Sequence, residues 1–169
     1  TLTEARRRLV LEEFFRFMLL LSHHKEQKEK EVNHCPIKET SECERLIASL
    51  PYELTGAQKK VWEEIKKDLA GGGTMARLVQ GDVGSGKTLT ALFVCLRVIN
   101  YGGQCAFMAP TEILARQHAE TISRMLDSLG VRTAFLTGNV KAGGRTQLLK
   151  ALKAGEIDLL IGTHALFSA

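Results

Sequence analysis

From residue 75 onward, short apolar runs alternate with longer segments in which apolar residues return every three or four positions. The runs 75–80, 104–109, 131–137 and 159–161 read as buried strands, and the segments 87–100, 111–129 and about 146–154 as helices with one packed face. Strict alternation of strand and helix implies a parallel sheet with helices on both faces, a three-layer α/β architecture. Upstream the texture is purely helical. Leu11, Phe14, Phe15, Met18 and Leu21 recur at helical spacing behind Thr1-Leu2-Thr3-Glu4, which fits a capping box, and predict a helix over 1–21. Phe17, Leu19 and Leu20 make its second half apolar nearly all round, so part of that surface is expected to pack on a further portion of a longer chain. The alternating Lys and Glu residues of 22–34 read as a solvated helix end or linker. Ser41-Glu42-Cys43-Glu44 is expected to cap a short helix carrying Leu46, Ile47 and Leu50, stopped by Pro51. Thr55 and Gln58 then open a helix with Ala57, Val61, Ile65 and Leu69 on one stripe, which Gly71-Gly72-Gly73 closes.

At 169 residues, 44% hydrophobic and 25% charged, the chain has the size and composition of one compact domain with an appendage. A net charge of +4 permits a polyanionic partner without requiring one. The four cysteines, Cys35, Cys43, Cys95 and Cys105, form no C-x-x-C pair, which favours reduced thiols in the cytoplasm. His34, Cys35 and Cys43 lack a fourth ligand at a zinc spacing. Glu12, Glu13 and Arg16 interrupt the apolar stretch after Arg6-Arg7-Arg8, so neither a signal peptide nor a membrane span is expected. Because the chain starts with Thr1 and stops just after an apolar run, it reads as a piece of a longer polypeptide.

The strongest chemical signal is Gly81-Asp82-Val83-Gly84-Ser85-Gly86-Lys87-Thr88, a full match to G-x-x-x-x-G-K-[ST] between a predicted strand and a predicted helix. Glycines there let the backbone wrap an anion with inward N–H groups, and the helix N-terminus adds a favourable dipole. Lys87 would reach the β- and γ-phosphates, and the Thr88 hydroxyl would ligate Mg²⁺. Asp82 and Ser85 either contact the nucleotide or cap the turn. For Gln58 two roles stand side by side: partner in a capping box with Thr55, and amide that reads an adenine edge, which would favour ATP.

A third constellation lies at the ends of later strands: Pro110-Thr111-Glu112, Thr137-Gly138 and Gly162-Thr163-His164. Beyond the carboxyl ends of a parallel sheet they face the side of the phosphate loop. Hydroxyls and helix N-termini at such points suit nucleic-acid phosphates, and Arg116 lies one turn beyond Glu112. Taken singly, each segment is explained first by turn and cap chemistry. No Ser-His-Asp or Cys-His arrangement is visible, and His118 and His164 read as surface or loop residues.

Leu54-Thr55-x-x-Gln58, Gly81 to Thr88, Pro110-Thr111-Glu112-Ile113-Leu114-Ala115-x-Gln117-His118 and Ile161-Gly162-Thr163-His164-Ala165-Leu166 resemble, in order and spacing, motifs Q, I, Ia and Ib of superfamily 2 helicases. Their wording is similar to the RecG family, bacterial ATP-dependent DNA helicases that remodel branched DNA, and Arg6-Arg7-Arg8-Leu9-x-x-Glu12-Glu13 looks like the segment that precedes the helicase lobes there. The transcription-repair coupling translocase is a close relative, but Ser85 and Glu112 look more like RecG. A P-loop kinase or transporter-type ATPase, or a module that uses the loop only structurally, are alternatives from other classes.

The resemblance implies a first RecA-like lobe, incomplete on its C-terminal side, over 52–169, preceded by a helical extension or linker over 1–51. It assigns Lys87 as the catalytic lysine and Gln58, Gly81, Asp82, Val83, Gly84, Ser85, Gly86, Lys87 and Thr88 to nucleotide, with Thr88 on the metal. Pro110, Thr111, Arg116, Gly138, Thr163 and His164 fall on the DNA track. ATP and Mg²⁺ are the implied cofactors and forked or junction DNA the implied partner. The family's Asp-Glu pair is absent after Lys87, and its second lobe, with arginine fingers, and its wedge domain are expected elsewhere in the parent.

Overall fold

A computed structural model describes residues 2–29, 36–37, 41–138 and 142–167. Helix α1 (Leu2–Glu29) runs through the first part of the Lys-Glu tract as a solvated helical end, with Arg8 paired to Glu12 at 3.0 Å one turn on. The Thr1 end of its expected capping box and residues 30–35 lie outside the described residues. Leu9, Phe14, Phe15, Met18 and Leu21 are all exposed, and the core holds no described residue of α1. No described helix is long and apolar enough to cross a membrane.

Helices α2 (Glu42–Ser49) and α3 (Gly56–Ala70) lead into the sheet-bearing part. Ser41 sits at the start of α2 with a helical backbone and no side-chain capping bond, against expectation. A hydroxyl caps well from an extended residue that can fold back over the first turn, and Ser41 is not extended. The helix stops as foreseen, because Leu50, which precedes Pro51, is extended (φ −70°, ψ 141°). In α3 the capping box is complete. Thr55 Oγ1 accepts the Gln58 N–H at 3.3 Å, and Gln58 Oε1 accepts the Thr55 N–H at 2.8 Å.

Then come α4 (Lys87–Asn100), β1 (Cys105–Met108), α5 (Glu112–Leu126), β2 (Thr133–Leu136), α6 (Ala142–Lys153) and β3 (Leu159–Gly162). The three strands are parallel in the order β1-β3-β2, with Ile161 beside Phe107 on one side and Phe135 on the other. β3, the last strand, is the central one, and all four of its residues are buried. Side chains alternate across it as strand geometry demands. Leu159 and Ile161 join Leu92, Phe93 and Leu96 of α4 and Ile122 and Leu126 of α5, with α2 and α3 behind them. Leu160 points the other way, to Leu136, Ile157 and the α6 residues Leu148 and Leu152. Helices therefore cover both faces, as the alternating pattern requires.

Two polar devices brace this core. Arg97, 3% exposed within α4, donates to the Ile37 carbonyl at 2.9 Å and lies 5.9 Å from the centroid of Trp62, which itself meets Phe93 at 5.2 Å. At the entry to β2 and β3, Arg132 grips Asp158 through both carboxylate oxygens, at 3.0 and 2.6 Å. Asp158 Oδ2 also accepts the Arg132 N–H at 2.8 Å, and these hydrogen bonds hold the Asp158 carboxyl below its usual range.

One expected strand is absent. Residues 75–80 make no strand in the structure. Met75 and Val79 do pack on the core, which accounts for the apolar run, and Arg77 is tied to Asp68 and Glu64 of α3 at 2.7 Å each. Leu78 is 91% exposed. An apolar run reports only that some of its positions are buried, whereas a strand also needs a ladder partner, and β1 is paired on one side alone among the described residues.

Candidate functional site

Gly81 to Lys87 forms the turn that enters α4. The Ser85 N–H donates to the Asp82 carbonyl at 3.2 Å, and Gly84 and Gly86 have φ of +81° and +84°, left-handed values that a side chain disfavours. Gly86 stands at the N-cap position of α4 and offers no side-chain bond to the first N–H groups of that helix. An uncapped helix N-terminus under a glycine turn is an anion site by construction. Lys87, first residue of α4, folds its ammonium back over the loop, donating to the Gly81 and Asp82 carbonyls at 2.7 and 2.6 Å, with Ser85 Oγ at 3.5 Å. Its positive charge is thus already held at the mouth of the turn. Asp82 and Val83 stand exposed at the tip, and Thr88 is half-buried in the first turn of α4.

Gln58 belongs to this loop as much as to its own helix. While its Oε1 completes the capping box, its Nε2 donates to the Ser85 carbonyl at 2.8 Å, across 27 residues of sequence. A Cβ placed on Gly86 would run into that same Nε2. The amide is therefore turned toward the loop backbone, where it straps α3 to the phosphate turn. Capping spacing alone announces the first bond and carries no signal for the second.

The three strand-end segments gather at one edge, because the carboxyl ends of parallel strands share a side. After packing on the sheet, α4 leads the chain to the opposite end of β1, so its N-terminus also points to that edge. Pro110, Thr111, Gly138 and His164 are exposed there. Thr111 caps α5, its Oγ1 accepting the Leu114 N–H at 3.3 Å. Thr163 is buried, and its hydroxyl accepts the Ala165 N–H in the turn His164–Leu166, so it serves the turn rather than the open edge. Gly162 is needed by packing, since a Cβ there would meet the Leu136 carbonyl of β2. Two participants have no sequence signal. Arg145 of α6 donates to the Ala165 carbonyl at 3.3 Å, and Phe135 lies beneath Arg116 with 5.4 Å from guanidinium carbon to ring centroid. Glu112 Oε1 accepts from Arg116 at 3.4 Å and from the Thr137 hydroxyl at 3.5 Å.

A glycine turn with a lysine at an open helix N-terminus, on the carboxyl edge of a parallel sheet, defines a P-loop nucleotide-binding lobe. The DEAD/DEAH box helicase family matches residues 55–169, and the chain belongs to that family. The ATP-dependent DNA helicase RecG of Treponema pallidum (strain Nichols) is 62% identical over 124 residues, which cover 73% of this chain and 18% of that protein. RecG of Bacillus subtilis (strain 168) is 45% identical over 163 residues, covering 96% of this chain and 24% of that one. The chain therefore spans between 18% and 24% of the length of these relatives. Among solved structures, RecG bound to a three-way DNA junction superposes with a TM-score of 0.85 and 38% identity over 98% of this chain and 23% of that one. A hypothetical ATP-dependent RNA helicase from Sulfolobus tokodaii, 18% identical with a TM-score of 0.53 over 76% of this chain and 35% of its own, shares the fold.

Proposed function

We propose that this chain is the nucleotide-binding part of an ATP-dependent DNA helicase of the RecG kind, acting in the cytoplasm on forked or junction DNA in recombination and repair. In this reading residues 52–169 are the first RecA-like lobe and 1–51 its helical extension, with a second lobe and a wedge domain supplied by the rest of the parent chain. The observation that carries it is the coincidence on one edge of an uncapped, lysine-bearing phosphate turn and three strand-end segments rich in hydroxyls.

The residues present fit a nucleotide triphosphate. The α4 amides and the turn from Gly81 to Gly86 cradle the phosphates, and Lys87 exchanges the carbonyls of Gly81 and Asp82 for phosphate oxygens. Among the described residues no cluster of three His, Cys, Asp or Glu gathers. Mg²⁺ would accordingly be held by the Thr88 hydroxyl and by phosphate oxygens, the usual manner for that ion. When bound, it neutralises charge developing on the γ-phosphate. Gln58 holds the loop through Ser85, and exchange of that bond for an adenine contact is how it would serve both of its roles.

Pro110, Thr111, Arg116, Gly138 and His164 line the DNA side in this reading, with Thr163 supporting the last turn. The experiment is phosphate release by the full-length parent with and without forked DNA. Stimulation by the fork that disappears in Lys87→Ala is the expected result, and DNA-independent turnover would assign the lobe to another kind of P-loop ATPase.

A further inference from the structure

We propose that Glu112 is a positioning residue that holds Arg116 ready for a nucleic-acid phosphate. The proposal rests on the reading that the strand-end edge faces DNA, and names the device by which that edge is organised. Arg116 projects from α5 with its side chain 61% exposed, yet it is not left to wander. Its guanidinium lies over Phe135 at 5.4 Å, and one nitrogen donates to Glu112 Oε1 at 3.4 Å. The remaining donors of the fork have no partner among the described residues. Glu112 is more sheltered, at 36%, and is itself anchored to the end of β2 by the Thr137 hydroxyl at 3.5 Å. The carboxylate is thus a strut between the first turn of α5 and the carboxyl end of β2, and it holds one nitrogen of a guanidinium whose side chain stays 61% exposed.

Charge alone argues against such a residue. A carboxylate one turn from a phosphate contact repels the phosphate, so its removal should tighten binding. A strut predicts the opposite sign. A free arginine must be ordered when it binds, and ordering one rotamer-rich side chain is worth about two- to tenfold in affinity. Held beforehand by Phe135 and Glu112, Arg116 has given up part of that freedom in advance, and planar recognition of phosphate depends on the direction in which the fork points.

The test is fluorescence anisotropy of this chain with a short labelled duplex over a salt series, for wild type, Glu112→Ala, Glu112→Gln, Arg116→Ala and the Ala double variant. Arg116→Ala is expected to weaken binding and to shallow the slope of log K against log salt by about 0.9, the value for one phosphate contact. Glu112→Ala should weaken it by about two- to tenfold despite making the chain more positive. The double variant should be no worse than Arg116→Ala, and Glu112→Gln, which keeps the acceptor oxygen, should recover part of the loss. Nucleotide affinity should stay unchanged in every variant, which separates this role from a general loss of structure. Where Glu112→Ala fails to fold, the slope of Glu112→Gln against wild type decides. Binding by a Glu112 variant as tight as or tighter than wild type, while Arg116→Ala is weaker, overturns the proposal and leaves the DNA-facing edge standing. No effect of Arg116→Ala overturns both, and leaves the phosphate turn to be judged by Lys87→Ala and nucleotide alone.

Discussion

At the scale of single residues, the phosphate turn is where local chemistry and chain geometry agree most closely. Lys87 holds its ammonium over the turn by two short bonds to carbonyls. A charge-assisted hydrogen bond contributes about 1.5 to 3 kcal/mol, so Lys87→Ala should lower ATP or ADP affinity at least about tenfold in a folded chain, as read by calorimetry. Unchanged affinity would remove the loop from the nucleotide site. Gly86 makes a second test, because two separate constraints meet there: a φ of +84° and the Gln58 amide in the space a Cβ would take. Gly86→Ala should destabilise the chain by about 1 to 2 kcal/mol from the backbone alone. In a Gln58→Ala background the steric part should vanish and the backbone part remain, so the urea midpoint lost to Gly86→Ala should be smaller there. Both glycines and the lysine are legible in the sequence because their requirement is local and fixed by spacing. The Gln58–Ser85 bond is not, since its partners are brought together by the packing of α3 beside the turn.

At the scale of elements, helices were legible to within a few residues where period and cap coincide, as in α3 and α5, and in α4 where the glycine-lysine motif marks the start. Residues 75–80 and Ser41 mark the limit. The first requires a neighbouring strand and the second a backbone conformation, neither of which side-chain order encodes. The junction of β2 and β3 also rests on a pair that sequence does not announce, Arg132 with Asp158, separated by 26 residues. Its effect on stability has a definite sign with pH. The Arg132 hydrogen bonds depress the Asp158 carboxyl in the folded chain. The stabilisation is therefore fully present above the unfolded value of about 3.9 and is lost as pH falls through the lower folded value. Asp158→Asn should lower the urea midpoint at pH 7, and the gap from wild type should close as the pH falls from about 3.9 through the lower folded value. A gap that stays constant across this range would mean that the pair contributes shape rather than charge.

At the scale of the whole molecule, what the chain holds and what it lacks make a joint expectation. Cradle, lysine and Thr88 are in place, but no Asp-Glu dipeptide follows Lys87. Groups that orient water and supply arginine to the γ-phosphate are worth about 10³ to 10⁵ in rate in enzymes of this kind. These 169 residues should therefore bind nucleotide yet show no DNA-stimulated phosphate release, and turnover that needs both DNA and Lys87 would show that the catalytic groups lie within them. The strand order carries a different consequence, for the birth of the chain. Among the described residues β1 and β2 do not pair with each other; the strand that joins them, β3, is made after both. On the ribosome, α4, β1, α5 and β2 emerge with their apolar faces prepared, and neither of the two ladders among the described residues can close before Gly162 has left the exit tunnel. Until then the apolar faces of α4 and α5 and the edges of β1 and β2 stay open to water or to whatever shelters a growing chain, and the four residues of β3 are what first ties them into one sheet.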